Sequence, residues 1–319
     1  MLKFVTLAVK VQLNVHDLNN ETVAGNVTDI RVMEFLDENG TRREAPAVSG
    51  RMLKHWHYEG MRHLILNGLY TSVPLCAGCK VGEPIRPAEI KNGNLKQIAK
   101  PEEDAILSCV ICDVHGYLIA REAEGESDRG ISARRTSRAM FSWLMPVLGP
   151  ETTSTQVIHT RVSQIRERGE GEQAAQMIFN KSYASGIYAF VSALDVDRIG
   201  LVELNLGSSN PYVINNNDRK NRIKVALEAY RYLISGQMGA SLSHAIPHMN
   251  PIEVFVAYSE VGPLPFPVSP MYSDYLSKTV GLFPQHAKFL YWGQKTPEGV
   301  IKKEKISEIF DELLGKVEE

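Results

Sequence analysis

Val5, Leu7, Val9, Val11, Leu13 and Val15 alternate along the first sixteen residues with positions that include Lys10, Gln12, Asn14 and His16. A sustained two-residue period predicts a long strand buried on one face. From Asp17 to Glu44 the chain is polar and rich in Asn, Asp and Gly, with Asn39-Gly40 as a turn signal, so loop plus a short hairpin is expected. The period then lengthens. Between Ser49 and Asn67 one helical face collects Met52, Leu53, Trp56, Met61, Leu64 and Ile65, with Ser49 as N-cap and Gly68 as stop.

Residues 69–104 carry Pro74, Pro84, Pro87 and Pro101 and no sustained period, which predicts an irregular insertion. The apolar run from Ala105 to Val114 predicts a buried strand. Residues 122–138 read as a polar, basic loop before a strand over Phe141 to Val147, and the nearly apolar-free stretch 164–176 predicts a protrusion. Further strands over Tyr183 to Val196 and Ile252 to Tyr258 flank a helix from Asp218 to Gly236. The prolines between Gly262 and Pro270 continue neither element and predict a long surface loop. Ile306, Ile309, Phe310, Leu313, Leu314 and Val317 have the spacing of a closing amphipathic helix. The order β, α, β, β, then β, α, β suits a split βαβ, ferredoxin-like α+β core with insertions better than a doubly wound parallel sheet.

With 44% hydrophobic and 23% charged residues, the 319-residue chain has ordinary globular usage. Its 35 Lys+Arg against 37 Asp+Glu, a net charge of −2, exclude a globally basic nucleic-acid coat. Met1 to Thr6 lack signal-peptide features, and no window approaches the ~18 apolar residues of a membrane span. A soluble, cytoplasmic protein with no membrane partner is expected.

Four cysteines form two C-x-x-C pairs, Cys76-Ala-Gly-Cys79 and Cys109-Val-Ile-Cys112. Tetrahedral zinc takes four such ligands, and the first pair has the shape of a zinc knuckle. The second pair falls in the predicted strand, where positions i and i+3 face opposite sides, and the linker, residues 80–108, is long for a structural site. Buried thiols are therefore favoured; no metal or cofactor is assigned, and zinc stays open. No nucleophile elbow, P-loop, zincin motif or phosphate-binding glycine fingerprint is present. His55, His57 and His63, in or near one helix without a carboxylate pattern, read as surface and partly buried imidazoles, and Asp195 and Asp197 as turn residues.

Positive charge is gathered locally: Arg129, Arg134, Arg135 and Arg138; Arg161, Arg166 and Arg168; and Arg219, Lys220, Arg222 and Lys224. A single-strand groove needs only local charge and planar side chains, although runs such as the third are also typical solvated helix faces. The helix start Val48-Ser49-Gly50-Arg51-Met52-Leu53-Lys54 is more specific. Helix N-terminal amides attract anions, glycine permits close approach, and Arg51 and Lys54 share a side. A plain capped helix with snorkelling cations fits the same residues.

Several segments resemble one family when taken in order: Asn14 with Asn19 to Asn26, Pro46 to His55, Cys109 to Tyr117, Arg134 to Arg138, and Val157 to Arg161. The chain is similar to the DevR-type RAMP family, the CRISPR-associated backbone subunit of type I Cascade, particularly its archaeal type I-A branch. The resemblance implies one modified RRM-like (ferredoxin-like) palm over 1–319 with finger, thumb and lid segments. The insertions would be 69–104, 122–138, a thumb-like 161–181 and a lid-like 259–299.

It further implies a non-enzymatic RNA-binding protein whose copies assemble as a helical filament along crRNA, beside other Cascade subunits, and present the spacer for pairing with target DNA. Ser49, Gly50, Arg51 and Lys54 would grip RNA phosphates, and Asn14 and His16 would line the same groove. Arg134, Arg135, His159 and Arg161 would lie near the RNA, and Met177 or Phe179 would wedge between bases. Two alternatives stay open: a zinc- or carboxylate-dependent nuclease, and a DNA-binding regulator, for which no helix-turn-helix segment is visible.

Overall fold

The computed structural model describes residues 1–23, 27–121, 131–162, 176–240 and 242–319. The alternating N-terminal segment forms β1 (Phe4–His16). Two hairpins follow where one was expected: β2 (Asn20–Val23) with β3 (Val27–Ile30), and β4 (Val32–Leu36) with β5 (Arg42–Pro46). Asn39-Gly40 lies in the second turn, with Gly40 at φ 75°. The lengthened period becomes α1 (Gly50–Leu66), capped by Ser49 and ended by Gly68 at φ 88°.

The 69–104 insertion is only partly irregular. It holds α2 (Ala77–Val81) and a hairpin of β6 (Ala88–Lys91) and β7 (Asn94–Gln97), and it leads into α3 (Glu102–Ser108). α4 (Val110–His115) follows at once, so the strand expected over 105–114 is instead two short helices. An all-round apolar run fits a buried helix as well as a buried strand. The deciding signal is Glu102, Glu103 and Asp104 in the first turn of α3, where the helix dipole favours acids.

The basic segment is hairpin rather than loop at its edges, with β8 (Tyr117–Arg121) paired to β9 (Ile131–Arg135); residues 122–130 lie outside the described residues. The chain continues through β10 (Ala139–Phe141), β11 (Met145–Pro146), β12 (Thr153–Val162) and β13 (Gln176–Asp195). The protrusion expected over 164–176 falls almost wholly outside the described residues. Then come α5 (Asn216–Ile234), β14 (His248–Ser259), α6 (Tyr275–Leu282), β15 (Lys288–Trp292), β16 (Ile301–Lys302) and α7 (Ile306–Glu318).

The largest sheet runs β16-β15-β14-β1-β13-β3-β2, with β10, β11 and β12 also pairing with β13. β1 lies antiparallel between β13 and β14, whereas β13–β3 and β15–β16 are parallel, so the α+β sheet is mixed. Leu7, Val9 and Leu53 share one apolar core with Ile223, Leu227 and Phe310 from α5 and α7. Gly60 lets α1 and α5 approach, because a Cβ there would lie 3.1 Å from Tyr232 and 3.3 Å from Ala229.

Phe4, Ala8, Val191 and Phe255 belong to a second apolar cluster with Leu264 and Tyr275. The first half of β1 is thus buried on both faces, not one. The proline-rich segment covers the sheet, with Leu264 and Met271 buried, rather than looping freely over the surface. Among the described residues, no helix is long and apolar enough to cross a membrane.

Candidate nucleic-acid interface

Val48 bridges to Leu144, which fixes the entry of α1 beside β10. Ser49 Oγ accepts the Met52 amide at 3.3 Å and donates to Asn19 Oδ1 at 3.0 Å, and the Ser49 amide donates to the same oxygen at 3.2 Å. The cap is held from two directions, so the positive end of a 17-residue helix is fixed in place.

That helix end opens on a groove of about 670 Å³. Arg31, Arg51 and Lys54 line it together with Phe141 and Trp143, and no carboxylate is among its lining residues. The Arg31 guanidinium lies 5.9 Å from the centre of the Trp143 ring, within cation–π range. Burial and the neighbouring Arg86 push Lys54 down to about 8. Arg86 is itself anchored: its Nε donates to the Gly116 carbonyl at 3.0 Å and its guanidinium lies 5.5 Å from the Tyr58 ring centre. The combination, a positive concavity with planar side chains, suits a polyanion with exposed bases. A second hollow, of about 500 Å³ between the β4–β5 hairpin and residues 146–152, is lined by Asp37, Glu38 and Glu44, so its charge suits an anion poorly.

Of the residues singled out from sequence, Ser49, Gly50, Arg51 and Lys54 do come together here, but Gly50 has a different reason to be glycine. A Cβ on it would meet the Phe141 carbonyl oxygen at 2.6 Å and that of Ser142 at 3.0 Å. The space is filled by the β10 backbone, not left for a phosphate. His16 is also corrected: its ring is fully buried, bonded to the Met238 carbonyl at 2.6 Å and the Leu18 amide at 3.0 Å, because β1 breaks register after Leu13. Asn14, half-buried, pairs with His248 and is not among the groove's lining residues.

Arg134 and Arg135 separate. Successive strand residues face opposite ways, leaving Arg134 exposed and Arg135 buried. Arg135 is ion-paired to Glu102 and to Asp113, the latter at 2.5 Å. Asp113 also accepts from Arg222 at 3.0 Å and from the Gly200 amide. Arg138 pairs with Glu203 at 2.7 Å, Arg219 donates to the carbonyls of Ile199 and Val196, and Lys220 and Lys224 pair with Glu318. Arg219 and Arg222 of the third basic run are therefore internal structure, whereas Lys220 and Lys224 lie at the surface and pair with the exposed Glu318.

His159 is half-buried in β12, its ring 3.2 Å from the Tyr183 hydroxyl, and Arg161 pairs with Met177 in the backbone ladder. The side chains of Arg161, Met177 and Phe179 lie outside the described residues, as do Arg129, Arg166 and Arg168. His57 is buried beside His115, 2.9 Å from it, and burial pushes His57 down to about 3.

Sequence reasoning missed Arg31, Arg86 and Trp143. Arg31 follows the last residue of β3, and Trp143 stands between β10 and β11, where the chain was read as continuous strand; both reach α1 only through the fold. Away from the groove, the sulfurs of Cys76, Cys79, Cys109 and Cys112 are all buried and lie within 4.8 Å of one another.

A profile of the family described as "CRISPR-associated negative auto-regulator DevR/Csa2" matches residues 7–280. The chain is 29% identical to a Methanocaldococcus jannaschii "CRISPR-associated protein Cas7/Cst2/DevR", over 98% of each chain. It is 25% identical to a Saccharolobus solfataricus "CRISPR-associated aCascade subunit Cas7/Csa2 2", over 94% of this chain and 92% of that one. Among solved structures, a chain of a "CRISPR RNA-guided surveillance complex" matches with a TM-score of 0.53 at 13% identity, over 98% of this chain and 99% of that one. A chain of a second such complex, "pre-nicking", gives 0.54 at 12%, over the same shares.

Proposed function

The chain belongs to the DevR/Csa2 family of CRISPR-associated proteins, and from that premise we propose that it is a non-catalytic, crRNA-binding backbone subunit of a type I interference (Cascade) complex. The observation that carries the reading is the groove at the start of α1, with Arg31, Arg51 and Lys54 and no lining carboxylate. Phosphates sit against these cations and the helix end, while Phe141 and Trp143 offer flat apolar surface to sugars and bases. Backbone contacts of this kind bind any spacer sequence and leave base edges free to pair with target DNA. The subunit repeats along the RNA, and a head-to-tail contact that does not close gives a helical filament, its length set by the guide.

The proposed palm is RRM-like (ferredoxin-like). Its support is the order β14-β1-β13 with β10 beyond β13, the core shared by α1 and α5, and the place of these helices between the strands in sequence. The lid-like role of 259–299 is supported by the burial of Leu264 and Met271 over the sheet.

The test is binding of two unrelated single-stranded RNAs over a salt series. Arg51→Ala with Lys54→Ala is expected to weaken both equally and to flatten the log–log salt slope by about 1.4, two contacts at ~0.7 each. An unchanged slope removes this groove from the RNA path. Tighter binding of duplex DNA than of RNA of equal length replaces the reading with a DNA-binding regulator.

A further inference from the structure

The two C-x-x-C pairs, far apart in sequence, each stand at the start of a short helix. Cys76 is the N-cap of α2 with Cys79 in its first turn; Cys109 is the N-cap of α4 with Cys112 in its first turn. The strand expected around Cys109 would have pointed its two sulfurs apart. At a helix start the cap and the third residue lie on one side, so each pair turns both sulfurs to a common centre. The Val110 amide donates to the Pro74 carbonyl at 3.0 Å and holds the two segments together. Gly78 permits the tight first knuckle, since a Cβ there would lie 2.0 Å from the Ile85 carbonyl oxygen.

The distances favour one ion. All four sulfurs lie within 4.8 Å of one another, and Cys76 Sγ is 3.9 Å from Cys112 Sγ. A tetrahedron of ~2.3 Å Zn–S bonds puts its sulfurs about 3.8 Å apart. A disulfide needs ~2.05 Å, and all four cysteines are free. The Cys112 amide donates to Cys109 Sγ at 3.4 Å, an N–H···S bond of the kind that orients and stabilises a thiolate ligand. Incidental core thiols have no reason to converge from two chain segments.

We propose that Cys76, Cys79, Cys109 and Cys112 bind a single zinc ion as a closed structural site. Four protein ligands leave no position for an activated water, so the site joins chain segments and does not cleave nucleic acid. It ties the insertion that carries Arg86 to α4, which carries Asp113.

The test uses the full chain purified without chelator from zinc-supplemented medium, with elemental analysis for zinc and iron. About one zinc per chain is expected, released by about four equivalents of a thiol-specific mercurial. Cobalt substitution should give the intense sulfur-to-metal charge-transfer band of a tetrahedral thiolate site. This readout needs only wild-type protein, so it holds even if Cys76→Ser with Cys112→Ser fails to fold. Less than about one zinc per four chains, stoichiometric iron in its place, or zinc retained by the folded double variant overturns the assignment. Metal content is read without RNA, so failure here is distinct from failure of the RNA-binding reading.

Discussion

Raising the pH from 7 to 9 should weaken RNA binding about tenfold through one side chain, Lys54. Burial and the Arg86 guanidinium hold its ammonium at about 8 in the free protein. It is therefore ~90% charged at pH 7 and ~10% charged at pH 9. A phosphate oxygen placed against it favours the charged form and returns it toward its ordinary 10.5. Binding then takes up a proton above pH 8, so affinity is full below that value and falls as pH rises through it. For a return to 10.5 the loss between pH 7 and 9 is about 1.4 kcal/mol.

The neighbours do not confuse this window. Arginine stays charged throughout, burial holds His57 at about 3 and His115 well below its ordinary value, and burial pushes the Tyr58 hydroxyl up. The assay is fluorescence anisotropy at fixed ionic strength, with an RNA of A and C only so that no base ionises. Wild type should lose the tenfold, and Lys54→Arg should be flat because it keeps its charge. A wild type that is also flat, or a variant with the same fall, refutes contact between Lys54 and phosphate.

Two further changes separate packing from binding. Gly50→Ala should lower the melting temperature by a few degrees, since its methyl would lie 2.6 Å from the Phe141 carbonyl oxygen and overpacking costs about 1–3 kcal/mol. An exposed helix position would instead gain ~1 kcal/mol, so a higher melting temperature would mean that the space is open after all. Asp113→Asn should cost about 3–5 kcal/mol in denaturant titration, because it leaves the buried Arg135 and Arg222 without their shared anion. A midpoint unchanged from wild type would show that the cluster is not held by charge.

The elements legible in the sequence are those whose periodicity survives burial on one side. α1 is legible to its caps, and β1, α5, β14 and α7 also stand where the apolar spacing puts them. The failures share a cause. α4 is apolar on most sides because it is buried all round, and β1 loses its alternation where the 260–274 segment covers its outer face. In the site, the Ser49-to-Lys54 segment is local and could be read. Arg31, Arg86 and Trp143 reach α1 only through strand pairing and loop packing, which no local pattern encodes.

The arginine runs misled for a physical reason that also explains why the groove holds its place. Local charge density says nothing until the carboxylates brought by the fold are subtracted. Asp113 stands 22 residues from Arg135 and 109 from Arg222, yet it neutralises both in the interior. A guanidinium already bonded to a buried carboxylate gains little from a phosphate, because the incoming anion would have to displace a partner fixed without entropy cost. Lys54 is in the opposite condition: half-buried, beside another cation, and in a groove with no lining carboxylate. No carboxylate lining the groove matches its charge. In the denser run Arg135 and Arg138 are taken up by carboxylates of the fold, whereas Arg51 and Lys54 face a groove that none lines, and the near-equality of 35 basic and 37 acidic residues is compatible with both.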